Sequence, residues 1–588
     1  MEAAEYFQNR IKTISQSLSR LKKTSLLLSL LRLVVFVSAV LIAYFFWGNT
    51  TIVAVSLITG FGGFLFLVAR YTDIKHKRDF HKKLVELNEA ELKSLNRNHE
   101  DFDGGKEFLN GDHFFNSDID LFGRGSIFQL LNRAGTENGK KTLANLLNSN
   151  DIDNIHKKQE AIKELAIISN WRQNFQVTAS MIENEVETKG VISWIKSYKH
   201  AIPKLFSLVP FIFSIASLAV FVLYGLEMIQ LGIVVLWFFT GLLITMIFFK
   251  KINVLYADAG KMRETFSQYS KMIAAIENEE FKSQLLVDLK NELATDGVAA
   301  SEVLGKLSKE INNLDQRNNI IFGILANGFL LWDLRYSYRI EKWMSDNEAA
   351  IEKWFESVAT FDAYNGLGNY AFIHTAHIYP NLVDDNTIIK AKALGHPLLD
   401  PNKRVDNDIE IGKGNFFIVT GANMAGKSTF LRTTALSIVM ANCGLPICAK
   451  SFDYHPIKLI SSMRTSDSLQ DDESYFFSEL KRLKFIVDQI KQDTYFIILD
   501  EILKGTNSKD KAEGSKKFVQ KLVASHSTGL IATHDLSLCT LADEYAEVKN
   551  HYFDAQIIND ELYFDYQFKD GVCQNMNASF LLKKMEIV

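Results

Sequence analysis

The 588-residue chain has few residues of the kinds that staple or break a fold: 4 cysteines and 7 prolines. Cys443, Cys448, Cys539 and Cys573 show no metal-ligand spacing. Thiols this sparse exclude a disulfide scaffold and suit a reducing compartment. Scarce proline fits a chain dominated by helices. There is no basic excess either: the formal net charge of -4 leaves no overall electrostatic footprint for nucleic acid. Internal repeats and low-complexity tracts are absent, and the length leaves room for several domains.

Long uncharged runs are what the chain has in quantity. Leu26 to Trp47 carries Arg32 as its one charge, and 52–69, 205–226 and 231–249 carry none. Each run approaches the ~20 residues needed to cross ~30 Å of hydrocarbon. A core helix of a soluble domain would show a polar face over such a length. The expectation is four transmembrane helices in two hairpins, turning at Gly48-Asn49-Thr50-Thr51 and between Gly225 and Gln230. Lys22, Lys23, Arg70, Lys75, Lys77 and Arg78 flank the first hairpin, and Lys196, Lys199, Lys204, Lys250 and Lys251 the second; the turns carry no basic residue. The positive-inside rule then puts both termini in the cytoplasm of a multi-pass protein of the inner (cytoplasmic) membrane. The first run is too long for a cleaved signal and is followed at once by another.

A second signal lies near the C-terminus. Gly421-Ala422-Asn423-Met424-Ala425-Gly426-Lys427-Ser428 fits G-x-x-x-x-G-K-[ST] at every fixed position. Phe416 to Thr420 reads as a buried strand before it and Thr429 to Met440 as a helix after it, the context a phosphate-cradling loop requires. Its backbone N–H groups and the helix N-terminus would face an anion. Lys427 would reach the β- and γ-phosphates of ATP, and the Ser428 hydroxyl would ligate Mg²⁺. Tyr495 to Asp500 is an apolar run ending in Asp500-Glu501. It reads as a buried parallel strand delivering Asp500 to the Mg²⁺ shell and Glu501 as the base for an attacking water. A further strand, 528–533, ends at His534, placed to sense the γ-phosphate or the water.

These segments resemble the MutS family of DNA mismatch repair ATPases. The stretch Thr420 to Arg432, with Asn423-Met424 inside the loop, resembles it closely; Asp500-Glu501-Ile502-Leu503-Lys504-Gly505-Thr506-Asn507, Ala532-Thr533-His534 and Gly395-His396-Pro397 extend the likeness over 386–588. Gly125 to Leu143, with Asn132-Arg133 ahead of Gly135 and Gly139, and the helical pattern of 151–166 resemble the start of the family's helical core, or lever, domain. The resemblance implies an ABC-like P-loop NTPase domain, Mg²⁺-dependent ATP hydrolysis, a homodimer through the ATPase domains with Ser474 donated across it, and binding of mismatched DNA. Thr429 falls within the nucleotide-binding segment, and Arg404 stands where the family has an aromatic that stacks on adenine. A guanidinium can also stack on a base; a solvated surface arginine is the alternative.

The chain also departs from the family. Asp471-Asp472-Glu473 precede Ser474 where small and basic residues are usual, and carboxylates repel a triphosphate. The place of the mismatch-reading domain is taken by the first hairpin, and the second hairpin interrupts the lever region. Phe477-Ser478-Glu479 has the spelling of the mismatch wedge but lies in the signature segment. With Met585-Glu586-Ile587-Val588 directly after the ATPase segment, the expectation is a chain lacking the family's dimerisation extension. The expected architecture is a first membrane hairpin (1–80), a helical segment and linker (81–114), a mainly α-helical lever domain in two parts (115–200 and 253–385) around the second hairpin (201–252), and an α/β ATPase domain (386–588). The expected function is a membrane-anchored MutS-family ATPase. An ABC-type transporter subunit shares the nucleotide chemistry but would carry an L-S-G-G-Q signature, which is absent before Asp500; a scaffold that uses ATP only to dimerise is the other alternative.

Overall fold

The computed structural model describes residues 2–182, 186–294, 297–463, 475–558 and 561–574. It is mostly helical, with mixed α/β sheets toward the C-terminus. Helices α1 (Glu2–Phe45) and α2 (Thr50–Leu95) form an antiparallel pair, capped at the turn by the Asn49 side chain accepting from Ile52 N. The pair closes tightly where a Cβ on Gly60 would lie 2.6 Å from Ala39 Cβ, the small-residue contact that lets apolar helices approach. Arg32, the one charge in its run, stacks 4.0 Å from the ring of Tyr71.

Below their apolar halves, both helices continue into the helical body. Asn88 and Gln173 exchange amide hydrogen bonds, and Tyr6 and Phe7 pack edge-on against Phe372. Glu91 pairs with Arg133 at 2.5 Å, the two side chains 1% and 2% exposed. Asn369 also donates to Glu91. The Asn132-Arg133 turn is held from the other side by Asp362, which accepts from the N–H groups of Gly135 and Thr136. A Cβ at Gly139 would meet the same carboxylate at 2.2 Å, so glycine is what lets the helices close there. Within the expected helical segment and linker (81–114), Gly104 and Gly105 are held against the body: Gly123 N donates to Gly104 O at 2.8 Å, and Gly105 lies against Phe128.

The second apolar region comprises α3 (Val209–Gly225) and α4 (Leu231–Glu277). Among the described residues, α1, α2 and α4 are long and apolar enough to cross a membrane. The expected run 205–226 differs: its helix has 17 residues and opens with Pro210 after a short 3-10 turn at Lys204–Ser207. At 1.5 Å per residue it is ~26 Å long. A further apolar helix, α5 (Ile320–Leu330), packs beside α3 and α4, and α6 (Trp332–Ile373) then runs back through the helical body.

A four-stranded sheet follows, in the order Asn381–Leu382, Ser451–Tyr454, Thr387–Leu394, Asn407–Gly412. The main sheet is built from β1 (Phe416–Gly421), β2 (Lys458–Ser462), β3 (Tyr495–Asp500), β4 (Thr528–Ala532), β5 (Val548–Ile558) and β6 (Glu561–Asp570), in the order β6-β5-β1-β4-β3-β2. Only the β5–β6 pair is antiparallel. Strands β1, β3 and β4 are nearly continuous apolar runs, as parallel strands covered on both faces must be. One hydrophobic core runs unbroken from the helical body into one face of this sheet, and a second fills the other face.

Candidate functional site

The C-terminal ends of β1, β3 and β4 converge, the place where parallel α/β sheets bind ligands. After β1 the chain turns through Gly421 (φ 144°) and Gly426 (φ 109°) into α7 (Lys427–Asn442). Gly421 has no room for a side chain, since a Cβ would lie 2.5 Å from Phe553 O. Lys427 is buried, and its Nζ donates to the carbonyls of Gly421 (2.8 Å) and Ala422 (3.1 Å). Burial holds this amine below the usual lysine range, with Asp500 and Glu501 opposing that shift.

Asp500 ends β3 and accepts from the Ser428 hydroxyl at 2.6 Å. Burial pushes its carboxyl above the usual range. Glu501 is twisted into the left-handed region (φ 50°), its N–H tied to Ala532 O of β4. That twist turns its carboxylate to His534, with Nε2 2.7 Å from Oε1. The hydrogen bond from His534 pulls Glu501 down to about 2. His534 Nε2 is also 3.4 Å from Lys427 Nζ. Lys427, Ser428, Asp500, Glu501 and His534 are therefore brought together, although 107 positions separate the first from the last.

A cavity of about 640 Å³ opens over this cluster, large enough for a nucleotide. Its walls include Ala422, Asn423, Met424, Gly426 and Thr429; Ala425 is buried beneath. Arg404 and His396 form the far wall. Arg404 pairs with Asp406 at 2.5 Å, two residues along, so its guanidinium is held in place rather than solvated. Ser474 lies outside the described residues, as do Asp471, Asp472 and Glu473.

The residues present fit Mg²⁺ and ATP. The Ser428 hydroxyl and Asp500 carboxylate are hard oxygen donors that meet within hydrogen-bonding distance. Among the described residues no group of three His, Cys, Asp or Glu could hold a metal alone. Mg²⁺ is usually held by one or two protein oxygens plus the phosphates, so this sparse donor set is the expected one.

Several lining residues are not legible in the motifs. Phe553 and Tyr566, from the antiparallel edge of the sheet, flank the loop; a Cβ on Gly426 would lie 3.2 Å from the Tyr566 ring. Glu479, buried, accepts from Lys504 N at 2.9 Å and pins the turn after Glu501. The spelling Phe477-Ser478-Glu479 thus belongs to the support of this site.

Next to the Arg404 wall, a smaller cavity is lined by Arg97, His99, Arg133, His374 and His377. Arg97 donates to Leu398 O and lies 3.9 Å from Asp400, which joins the end of α2 to the loop bearing Leu399 and Arg404. Burial lowers His374 to about 4, His377 to about 3 and His396 to about 4, from an ordinary 6.5. The unfolded chain would bind protons near that ordinary value while the folded one stays neutral, so stability falls as pH drops from about 6.5 toward 4. The melting temperature in detergent is expected to be several degrees lower at pH ~5 than at pH ~7.5. A His374→Phe, His377→Phe variant should lose part of that difference, since His396 and His551 stay depressed; an unchanged pH dependence would show that these rings do not titrate on unfolding.

Known proteins share this part of the chain. Residues 417–584 match MutS domain V. The human protein named MutS protein homolog 4 is 29% identical over 203 residues, 33% of this chain and 21% of the relative. The DNA mismatch repair protein MutS of Staphylococcus haemolyticus is 27% identical over 273 residues, 44% of this chain and 30% of the relative. That of Clostridioides difficile is 30% identical over 212 residues, 34% and 22% respectively. In each case less than a third of the relative's own length is spanned.

Proposed function

We infer, from the MutS domain V that this chain carries, a membrane-anchored MutS-family ATPase whose nucleotide state is passed to two membrane hairpins. The observation that carries this reading is the convergence of Lys427, Ser428, Asp500, Glu501 and His534 at three parallel strand ends. Lys427 is the donor that would leave the loop carbonyls for the phosphates. Ser428 and Asp500 would hold Mg²⁺, which when bound neutralises charge between the β- and γ-phosphates. Glu501 orients the attacking water and accepts its proton, and His534 holds the Glu501 carboxylate toward that position. Arg404, fixed by Asp406, offers a flat face to the base.

Membrane anchoring is supported by the exposed apolar surfaces of α1, α2, α3 and α4 (Leu26, Phe36, Phe61, Leu218 and Leu243 among them) and by the basic residues at one end of both hairpins. Coupling is supported by the contacts of Glu91 with Arg133 and Arg97 with Asp400, which run from α2 to the lever and the nucleotide cavity. Action on DNA is carried over from the relatives' names, and a homodimer completed by Ser474 belongs to the same reading.

The test is the ATPase rate of the detergent-solubilised full chain, with and without homoduplex, mismatched and branched DNA, alongside its partition between membrane and soluble fractions. We expect Mg²⁺-dependent hydrolysis in membrane-derived protein, raised by one of the DNA forms. A rate indifferent to every DNA would leave the ATPase and remove the repair role. Recovery wholly in the soluble fraction without detergent would remove the anchor.

A further inference from the structure

No charged residue occurs between Arg317 and Asp333. Within that interval α5 is an 11-residue helix, ~16 Å long and so about half the ~30 Å needed to span. Apolar helices of this length are ordinarily core elements or re-entrant segments. A core element would be covered, yet Ile320 and Ile321 are 74% and 73% exposed, and Ile324 and Leu325 are about half exposed.

The opposite face of α5 is closely fitted to the second hairpin. A Cβ on Gly328 would lie 2.1 Å from the Phe238 ring, and one on Gly241 would lie 2.2 Å from Gly328 O. Ser217 donates to Phe329 O at 2.6 Å and accepts from Trp237 Nε1 at 2.8 Å. All of these partners lie inside the uncharged runs 205–226 and 231–249, so α5 reaches into the apolar part of the hairpin without passing through it.

Both ends of the segment return to one place. Arg317, just before α5, pairs with Asp333, just after it, at 3.1 Å, with both side chains largely buried. The Arg317 guanidinium also lies 5.6 Å from the Phe249 ring centroid and 5.5 Å from that of Tyr256 in α4, on either side of Lys250-Lys251. Leu331, in the left-handed region at φ 50°, reverses the chain into α6.

We propose that α5 is a re-entrant half-span seated in the cytoplasmic leaflet, with Ile320, Ile321, Ile324 and Leu325 against lipid acyl chains and the Arg317–Asp333 pair at its base. The inference rests on the membrane reading of the second hairpin. Its occupant is lipid because the exposed apolar side chains of α5 lie beside those of α3 and α4, where Leu218, Leu243 and Met246 are likewise about two-thirds exposed or more.

Single cysteines at Ile324, Leu325, Leu243 and the exposed Glu348 of the full chain test this. The four native cysteines are buried, so a nitroxide reagent goes to the introduced one. After reconstitution into phosphatidylcholine–phosphatidylglycerol vesicles, relaxation by oxygen is compared with relaxation by a water-soluble nickel chelate. Labels at 324, 325 and 243 are expected to show a several-fold preference for oxygen, and 348 the reverse. Nickel access at 324 and 325 with oxygen preference at 243 would overturn the half-span and leave the hairpin intact. Nickel access at 243 as well would overturn the hairpin and α5 with it. Spin–spin broadening at 324, with access to neither reagent, would put a second copy of the chain where lipid is proposed.

Discussion

Glu501→Gln is expected to keep ATP binding and to lower hydrolysis ~10²–10⁴-fold, the usual cost of removing a positioned base. The amide fills the space of the carboxylate but cannot take a proton. The Lys427 cradle and the Ser428–Asp500 pair are left as they are. Because His534 pulls Glu501 down to about 2, its carboxylate stays ionised throughout the neutral range, and the pH–rate profile should carry no step from it above pH ~5. Lys427→Ala makes the contrast, since it should lose nucleotide affinity itself. Titration with a fluorescent ATP analogue and a phosphate-release assay separate the two. Hydrolysis by Glu501→Gln at the parental rate would end the assignment of the base.

The second large effect is expected far from the phosphates. Glu91→Ala leaves the Arg133 guanidinium buried without its counter-charge, a change that typically costs about 3–5 kcal/mol. Ser94 and the ring of Phe102 still touch that guanidinium, but neither supplies a negative charge. The double variant Glu91→Met, Arg133→Leu removes both charges of the pair and should recover part of the loss, because a buried ion pair contributes little net stability over apolar residues of similar volume. The rest remains because the buried Arg172 guanidinium still loses Glu91 as its neighbouring negative charge. Thermal unfolding of the three proteins in detergent reads this directly. A Glu91→Ala protein within about 1 kcal/mol of the parent would mean that water reaches the pair.

How much can be read from the chain alone depends on whether a feature is contiguous. The fixed glycines of the phosphate loop answer local steric demands, with φ of 144° at Gly421 and 109° at Gly426, so the motif carries its own geometry. Asp500 and His534 are legible because each closes an apolar run, and a parallel sheet gathers such run ends at one edge. Phe553 and Tyr566 reach the cavity only through the register of two antiparallel strands, which no spacing reveals. Arg404 has a local signal in Asp406, two residues on, which holds it and argues against a solvated side chain. Helix α5 is too short, at eleven residues, to read as a span, and its partners at Ser217 and Gly241 lie about a hundred positions away. Proline at 203 and 210 marks the late start of α3.

Helix α4 runs for 47 residues without a break, a continuous rod of ~70 Å. Its first half is apolar and mostly exposed, with Val234, Gly241 and Thr245 covered, while its second half is clamped in the helical body, where Met272, Ile273 and Ile276 are fully covered. A stiff rod held at one end converts rotation into translation. A tilt of about 5° where the clamp begins would sweep the far tip by about 3 Å, as the ~35 Å of its first half dictates. On the membrane reading proposed above, a small repacking of the helical body would be felt as a change in the area the protein occupies among lipids.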